Sequence, residues 1–184
     1  MITLLIILLI PALIVIALYN LLVGRRNAVS NAYSTIDVYL KNRYDLIPNL
    51  VASVKTYMEH EANTLTRITE LRSRLMQVQL PPGERLKAEG ELSGLLSRLL
   101  MVSENYPELK ANENFIHLQR SLTEMEERIS AARRAYNAAV TDYNNALGMF
   151  PTNIIANIFS FKPAEWFEVP QEERKAPDVK ALFK

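Results

Sequence analysis

The sequence predicts an all-α protein, a single N-terminal transmembrane helix followed by an antiparallel four-helix bundle with long helices. Three observations carry this expectation. No charged side chain precedes Arg25. An apolar repeat of alternating three- and four-residue steps runs from Phe115 to Leu147. Five glycines in 184 residues cannot supply the tight turns of a sheet protein, and no segment of useful length alternates with strand period.

The first element is MITLLIILLIPALIVIALYNLLV, Met1 to Val23, in which only Thr3 and Asn20 are clearly polar. At about 1.5 Å per residue it is long enough to cross a hydrocarbon core of about 30 Å, and Pro11 is tolerated in a membrane helix. It lacks the basic start, short apolar run and small-residue cleavage site of a signal peptide, so residues 1–24 are read as a retained anchor. Arg25 and Arg26 follow directly, with Lys41 and Arg43 beyond, whereas the other flank offers only the α-amine. That bias orients the N-terminus outward and residues 25–149, the bundle, into the cytoplasm. Arg25 and Arg26 also form the membrane flank suited to anionic headgroups.

In the bundle, Val29, Ala32, Tyr33, Ile36, Leu40, Ile47, Leu50, Val51, Val54 and Met58 share one helical face. Arg43 falls inside that stripe, where a guanidinium needs an acidic partner on a facing helix or a ligand. Pro48 interrupts the pattern and predicts a break over residues 45–48, with Asp45 placed to cap a new helix whose first turn holds the proline. The break is compatible with a kink or a chain reversal. The new helix is expected to continue through Leu65, Ile68, Leu75 and Met76 to the loop Leu80-Pro81-Pro82-Gly83. A third helix follows from Glu84 to Glu104, with Leu92, Leu95, Leu96, Leu99 and Val102 apolar. The fourth carries Phe115, Leu118, Leu122, Met125, Ile129, Ala132, Tyr136, Ala139, Tyr143 and Leu147, a seam of more than four heptads in coiled-coil style. Pro107 lies near its start, and Gly148 with Pro151 stops it.

Beyond Gly148, residues 150–168 concentrate Phe150, Phe159, Phe161, Trp166 and Phe167. This aromatic segment is expected either to fold back on the bundle or to form an exposed interface for self-association or a partner. Residues 169–184 mix charge with proline and read as a mobile tail.

Composition narrows the chemistry. With 21 Lys plus Arg against 20 Asp plus Glu, the net charge of +1 does not fit a polybasic nucleic-acid binder. Absence of cysteine excludes disulfides, thiolate catalysis and Cys-based metal sites. His60-Glu61 begins like a zinc-protease motif, but Thr64 stands where the second imidazole belongs. Neither His60 nor His117 has a glutamate three residues before it, as a di-iron bundle needs. No nucleophile elbow is present. The expectation is therefore no catalytic residue, no metal and no cofactor.

The segments Tyr19-Asn20-Leu-Leu-Val23, Ser34-Thr35-Ile36-Asp37-Val38, Arg43-Tyr44-Asp45-Leu46-Ile47-Pro48-Asn49-Leu50-Val51 and Val54-Lys55-x-Tyr57-x-x-His60-Glu61 closely resemble the LemA family of bacterial membrane proteins. Tyr143-Asn144, Phe150-Pro151-x-Asn153-Ile154, Phe159-x-Phe161 and Phe167-Glu168 resemble the same family's closing motif. Tyr33 stands where the family often has Trp, and Ser160 replaces a frequent Gly. The resemblance implies an inner-membrane protein with an exterior N-terminus, a cytoplasmic helical bundle and no established enzymatic activity. One branch of the family takes part in building magnetosome membranes. The motif concentrates polar residues at Arg43, Asp45, Asn49, His60 and Glu61, which suggests a buried polar network around Pro48. The expected function is a non-enzymatic scaffold that contacts membrane lipid, forms a homo-oligomer and organises or recruits other membrane proteins. The alternative is a regulatory adaptor of a membrane protease or hydrolase.

Overall fold

The computed structural model describes residues 2–77 and 80–167. Among these residues every regular element is helical: α1 (Ile2–Lys55), a single 3-10 turn (Glu59–Glu61), α2 (Ala62–Leu75), α3 (Pro82–Ser103), α4 (Pro107–Lys110), α5 (Glu113–Gly148) and α6 (Thr152–Ile158). The tail expected over 169–184 lies outside the described residues. The described residues form two compact units, one of Val38–Ile129, the other of the chain up to Asp37 together with residues 130–167.

The Val38–Ile129 unit revises the helix boundaries. α1 does not break at 45–48, and Asp45 caps nothing; the helix runs through Pro48 to Lys55. The reason is visible in its buried face. Leu40, Arg43, Tyr44, Ile47, Leu50 and Val54 are all buried, at helical spacing on both sides of the proline, while Pro48 itself points to solvent. Burial of that continuous stripe outweighs the cost of one interior proline. The interruption comes at Thr56 to Met58, where the Tyr57 and Met58 amides close on the Val54 carbonyl at 3.0 and 2.9 Å.

α2 packs on α3. It contributes Leu65, Ile68, Leu71 and Leu75 to the core, and Met76, expected on the apolar face, is exposed. α3 contributes Ala88, Leu92, Leu96 and Leu99. Pro107 does not open the long helix; it begins the single-turn α4. α5 starts instead behind Asn112, whose Oδ1 accepts the amides of Asn114 and Phe115 at 3.0 and 3.3 Å as an N-cap. Its buried positions here are Phe115, Leu122 and Ile129, each one heptad apart.

In the other unit the apolar first part of α1 meets the last part of α5 and α6. Val29 is buried against Val140 and Tyr143, with Tyr136, Ala139 and Leu147 alongside. Val140 takes the central place that the heptad reading assigned to Ala139. Leu22 is buried against Ile155 and Ala156 of α6. α6 ends in a Schellman motif: Phe161 N–H bonds the Ala156 carbonyl at 2.9 Å and Ser160 N–H that of Asn157 at 3.2 Å, with Ser160 at φ 54. The side chain of Phe161 closes the motif by packing on the Leu22, Ile155 and Ala156 cluster.

Candidate functional site

The strongest polar feature is centred on Arg43 of α1, which is fully buried. Its guanidinium forms ion pairs with Glu89 of α3 and Glu126 of α5, and Nη1 donates to Ser93 Oγ at 2.7 Å. Glu89, 2% exposed, also accepts the phenolic O–H of Tyr44. Three helices therefore converge on one cation through charge-assisted bonds, the condition under which a buried charge is tolerated. Among the described residues, Nε of Arg43 has no hydrogen-bond partner.

The family motif suggested a different membership, and the structure separates it. Asp45, Asn49 and His60 are exposed and share no bond with Arg43, and Glu61 is only half-buried, accepting from Thr64 Oγ1 at 3.2 Å. The residues that do join Arg43, namely Tyr44, Glu89, Ser93 and Glu126, were not singled out by the sequence. A signal for Glu89 exists, because it lies three residues before Leu92 and seven before Leu96, inside an apolar stripe as Arg43 is.

Pro48 has its own compensation. A proline gives no amide to the carbonyl four residues back, here that of Tyr44. That carbonyl accepts instead from Arg72 Nε on α2, at 2.7 Å. On the outer side of α2 and α3, Arg67 binds Glu91 through two bonds of 2.7 and 3.0 Å. These bonds hold the Glu91 carboxyl below its ordinary value and the Arg67 guanidinium above its own. Both groups are exposed, so the pair contributes little stability. Beside α2, an open groove of about 800 Å³ has Val51, Met58 and Leu65 in its floor and Lys55, Glu70 and Arg74 at its rim. Among the described residues no cluster of three or more His, Cys, Asp or Glu is arranged to hold a metal ion.

The aromatic segment divides into two roles. After Phe161 the chain runs as an extended strap along α5, held by a repeated Tyr-Asn doublet. Tyr143 O–H donates to the Lys162 carbonyl at 3.0 Å, and Tyr136 O–H to that of Glu165 at 2.9 Å. Asn144 exchanges two bonds with Ala164, both 2.9 Å, and Asn137 exchanges two with Phe167, at 3.1 and 2.7 Å. Trp166 Nε1 donates to Thr141 Oγ1 at 3.1 Å, and the guanidinium of Arg133 lies 4.8 Å from the Phe167 ring centre. Burial pushes the Tyr136 and Tyr143 phenols up. Phe161, Trp166 and Phe167 are thus engaged within the chain. Phe159, half exposed, meets the Tyr19 ring, and Phe150 is exposed.

At the flank, Arg25 pairs with Asp142 at 2.9 Å and Arg26 lies 5.4 Å from the Phe161 ring centre. Among the described residues one helix, α1, is long and apolar enough to cross a membrane, and almost none of its apolar stretch is buried by the other described residues.

Comparison with known proteins bears on this arrangement. Residues 32–181 match the LemA family. The chain belongs to the LemA family. Among its relatives, Protein LemA of Metamycoplasma hominis is 26% identical over 163 residues, which is 89% of this chain and 74% of that one. Magnetosome protein MamQ 1 of Paramagnetospirillum magneticum is 41% identical over 83 residues, 45% of this chain and 30% of that protein. Magnetosome protein MamQ of Magnetospirillum gryphiswaldense is 35% identical over 82 residues, again 45% and 30%. The likeness thus spans less than a third of the magnetosome proteins' own length. The LemA family, the helical fold and the apolar N-terminal helix together fit a membrane-associated protein.

Proposed function

We propose that this LemA-family protein is a non-enzymatic, membrane-tethered scaffold that self-associates and organises or recruits other membrane proteins, with an antiparallel four-helix bundle as its body. The observation that carries the reading is the continuity of α1: the apolar stretch and the amphipathic stripe that builds the Arg43 cluster are one helix, Ile2–Lys55, with no coil between them. The contact surfaces are thereby tied to the bilayer by construction. Confinement to a surface raises the effective concentration of partners there, so that modest affinities suffice for assembly. The magnetosome-protein relatives lend weight to a role in arranging membrane components. The orientation carried into this reading has the N-terminus outside and the helical body in the cytoplasm, on the strength of Arg25 and Arg26.

The test is crosslinking in native membranes at natural abundance, followed by purification in detergent. A scaffold yields the chain crosslinked chiefly to itself, in a particle several protomers in size, with other membrane proteins in lesser amounts. Stoichiometric recovery of one protease or hydrolase with a single copy of the chain would instead establish the adaptor role. A particle of one protomer without partners would defeat both.

A further inference from the structure

The chain has two long stretches free of charged side chains: residues 1–24, and residues 143–161 between Asp142 and Lys162. The structure brings them together. Leu22 is fully buried against Ile155 and Ala156, with Leu18, Ala146 and Leu147 packed around them. The Tyr19 ring lies 4.8 Å from that of Phe159 and 5.8 Å from that of Phe161, centre to centre. Their charged ends also coincide. Arg25, the first charge after one stretch, pairs at 2.9 Å with Asp142, the last charge before the other.

This level of contact decides the environment of α6. Leu18 precedes Arg25 by seven residues, or about 10 Å along the helix, so α6 lies beside the part of α1 that the membrane reading places within lipid. The outward side of this segment is apolar: Met149 is 64% exposed, Phe150 80%, Ile154 48%, Ile158 66% and Phe159 50%. Its remaining exposed polar groups, including Asn157 and Ser160, are neutral. Apolar groups with neutral polar neighbours, bounded on one side by charges, suit the boundary between headgroups and acyl chains, where interfacial segments bury their apolar face by about 5–10 Å.

From this juxtaposition we infer that the Met149-Phe150 turn and α6 form a second membrane contact, seated in the interfacial region of the bilayer beside the spanning part of α1. The inference rests on the reading of residues 1–24 as membrane-spanning. Lipid is the occupant because the exposed apolar face is continuous with the apolar surface of α1 and ends at the same charge pair. The anchor is then a helix plus a wedge, with the Arg25–Asp142 pair at the headgroup boundary.

The experiment uses the full chain in vesicles of phosphatidylcholine and phosphatidylglycerol. Trp166→Phe removes the natural indole, and one indole is returned by Leu13→Trp, Phe150→Trp or Ala131→Trp. Position 131 is exposed on α5, eleven residues and about 16 Å from Asp142. Lipids brominated at set depths then quench whichever indole they reach. Positions 13 and 150 should lose most of their emission, position 150 chiefly to bromines near the carbonyl end, while position 131 is spared. Quenching at 13 with none at 150 overturns the wedge and leaves the spanning helix intact. Escape at position 13 overturns the membrane reading itself. A blue-shifted but unquenched indole at position 150 shows that a second copy covers this face, and also overturns the inference. Position 150 is so exposed that the larger ring displaces no core atom, and an unchanged helical circular dichroism spectrum checks each variant's fold.

Discussion

Arg72 donates through Nε to the backbone carbonyl of Tyr44, the one carbonyl of α1 in this region that Pro48 leaves without its helical donor. The pair explains how a proline sits inside a long helix without ending it. Arg72→Met should cost about 1–3 kcal/mol, the value of a hydrogen bond to a charged group with a stranded carbonyl behind it. In a Pro48→Ala background the amide returns and the same substitution should cost visibly less. Urea unfolding of the four chains measures the coupling, and equal costs in both backgrounds would refute the compensation.

The Arg43 cluster predicts a second coupling. Arg43→Met takes the guanidinium away from the buried Glu89 carboxylate, and Glu89→Leu leaves the buried guanidinium with Glu126 and Ser93, so each single change should cost about 3–5 kcal/mol. The double substitution removes both charges and should recover most of that loss, because apolar groups of similar volume replace a pair whose desolvation is expensive. Thermal melting that found the two losses additive would show that Arg43 and Glu89 do not depend on each other.

How much of this was legible in the sequence follows from what periodicity records. It records burial, so the apolar stripes of α1, α3 and α5 and the anomaly of Arg43 within one of them were readable. At Pro48 the continuous helix rules out the chain reversal and the new helix start, which local chemistry alone leaves open because the group that serves the freed carbonyl, Arg72, is 24 residues away in sequence. Asp45 and Asn49 were grouped with Arg43 by nearness in a motif, yet at 100° per residue they face elsewhere, and the structure leaves them exposed. The true partner, Glu89, could have been found by asking which opposite charge also sits in an apolar stripe. That the aromatic segment folds back is one of the two sequence expectations, but its register along α5 is not legible, since the strap's bonds end on backbone groups that have no sequence signature.

Asn137 and Asn144 hold that strap by a match of two repeats. Seven residues of α5 advance about 10.5 Å, and three residues of extended chain, Ala164 to Phe167, advance about 10 Å. Each asparagine supplies both a donor and an acceptor, so Asn144→Ala should remove two bonds of about 0.5–1.5 kcal/mol each. The loss should be local. Hydrogen exchange at the Ala164 amide should quicken strongly, while core amides of Leu92 and Ile129 stay protected. Asn144→Asp, which keeps the acceptor, should preserve much of the protection at Ala164.

Ser160 holds φ 54 at the C-terminus of α6, a conformation glycine adopts freely. The left-handed backbone costs a side-chain-bearing residue about 1–2 kcal/mol, against about 0.5–1 kcal/mol of extra unfolded-chain entropy for glycine. Ser160→Gly should therefore stabilise the protein by about 0.5–1 kcal/mol. A lower melting temperature for this variant would mean that the hydroxyl makes a contribution larger than the strain it carries.

The strap also carries a pH dependence. Burial pushes the Tyr136 phenol above its ordinary value, with Tyr33 and Glu165 adding to it, and burial of Tyr143 outweighs the opposing pull of Arg26. Raised values mean that the folded chain keeps these two protons to higher pH than the unfolded chain does. Their contribution is thus complete below the unfolded value of about 10 and is lost as pH rises through the folded values. Burial disfavours the phenolate, and a phenolate also cannot donate to the Lys162 and Glu165 carbonyls. The melting temperature should hold steady from pH 8 to about 10 and fall beyond it. In the Tyr136→Phe, Tyr143→Phe double variant it should start lower, by the loss of two hydrogen bonds of about 1 kcal/mol each, and decline less steeply above pH 10. An identical alkaline slope in both proteins would assign the pH dependence to other groups and leave the two tyrosines with only their hydrogen bonds.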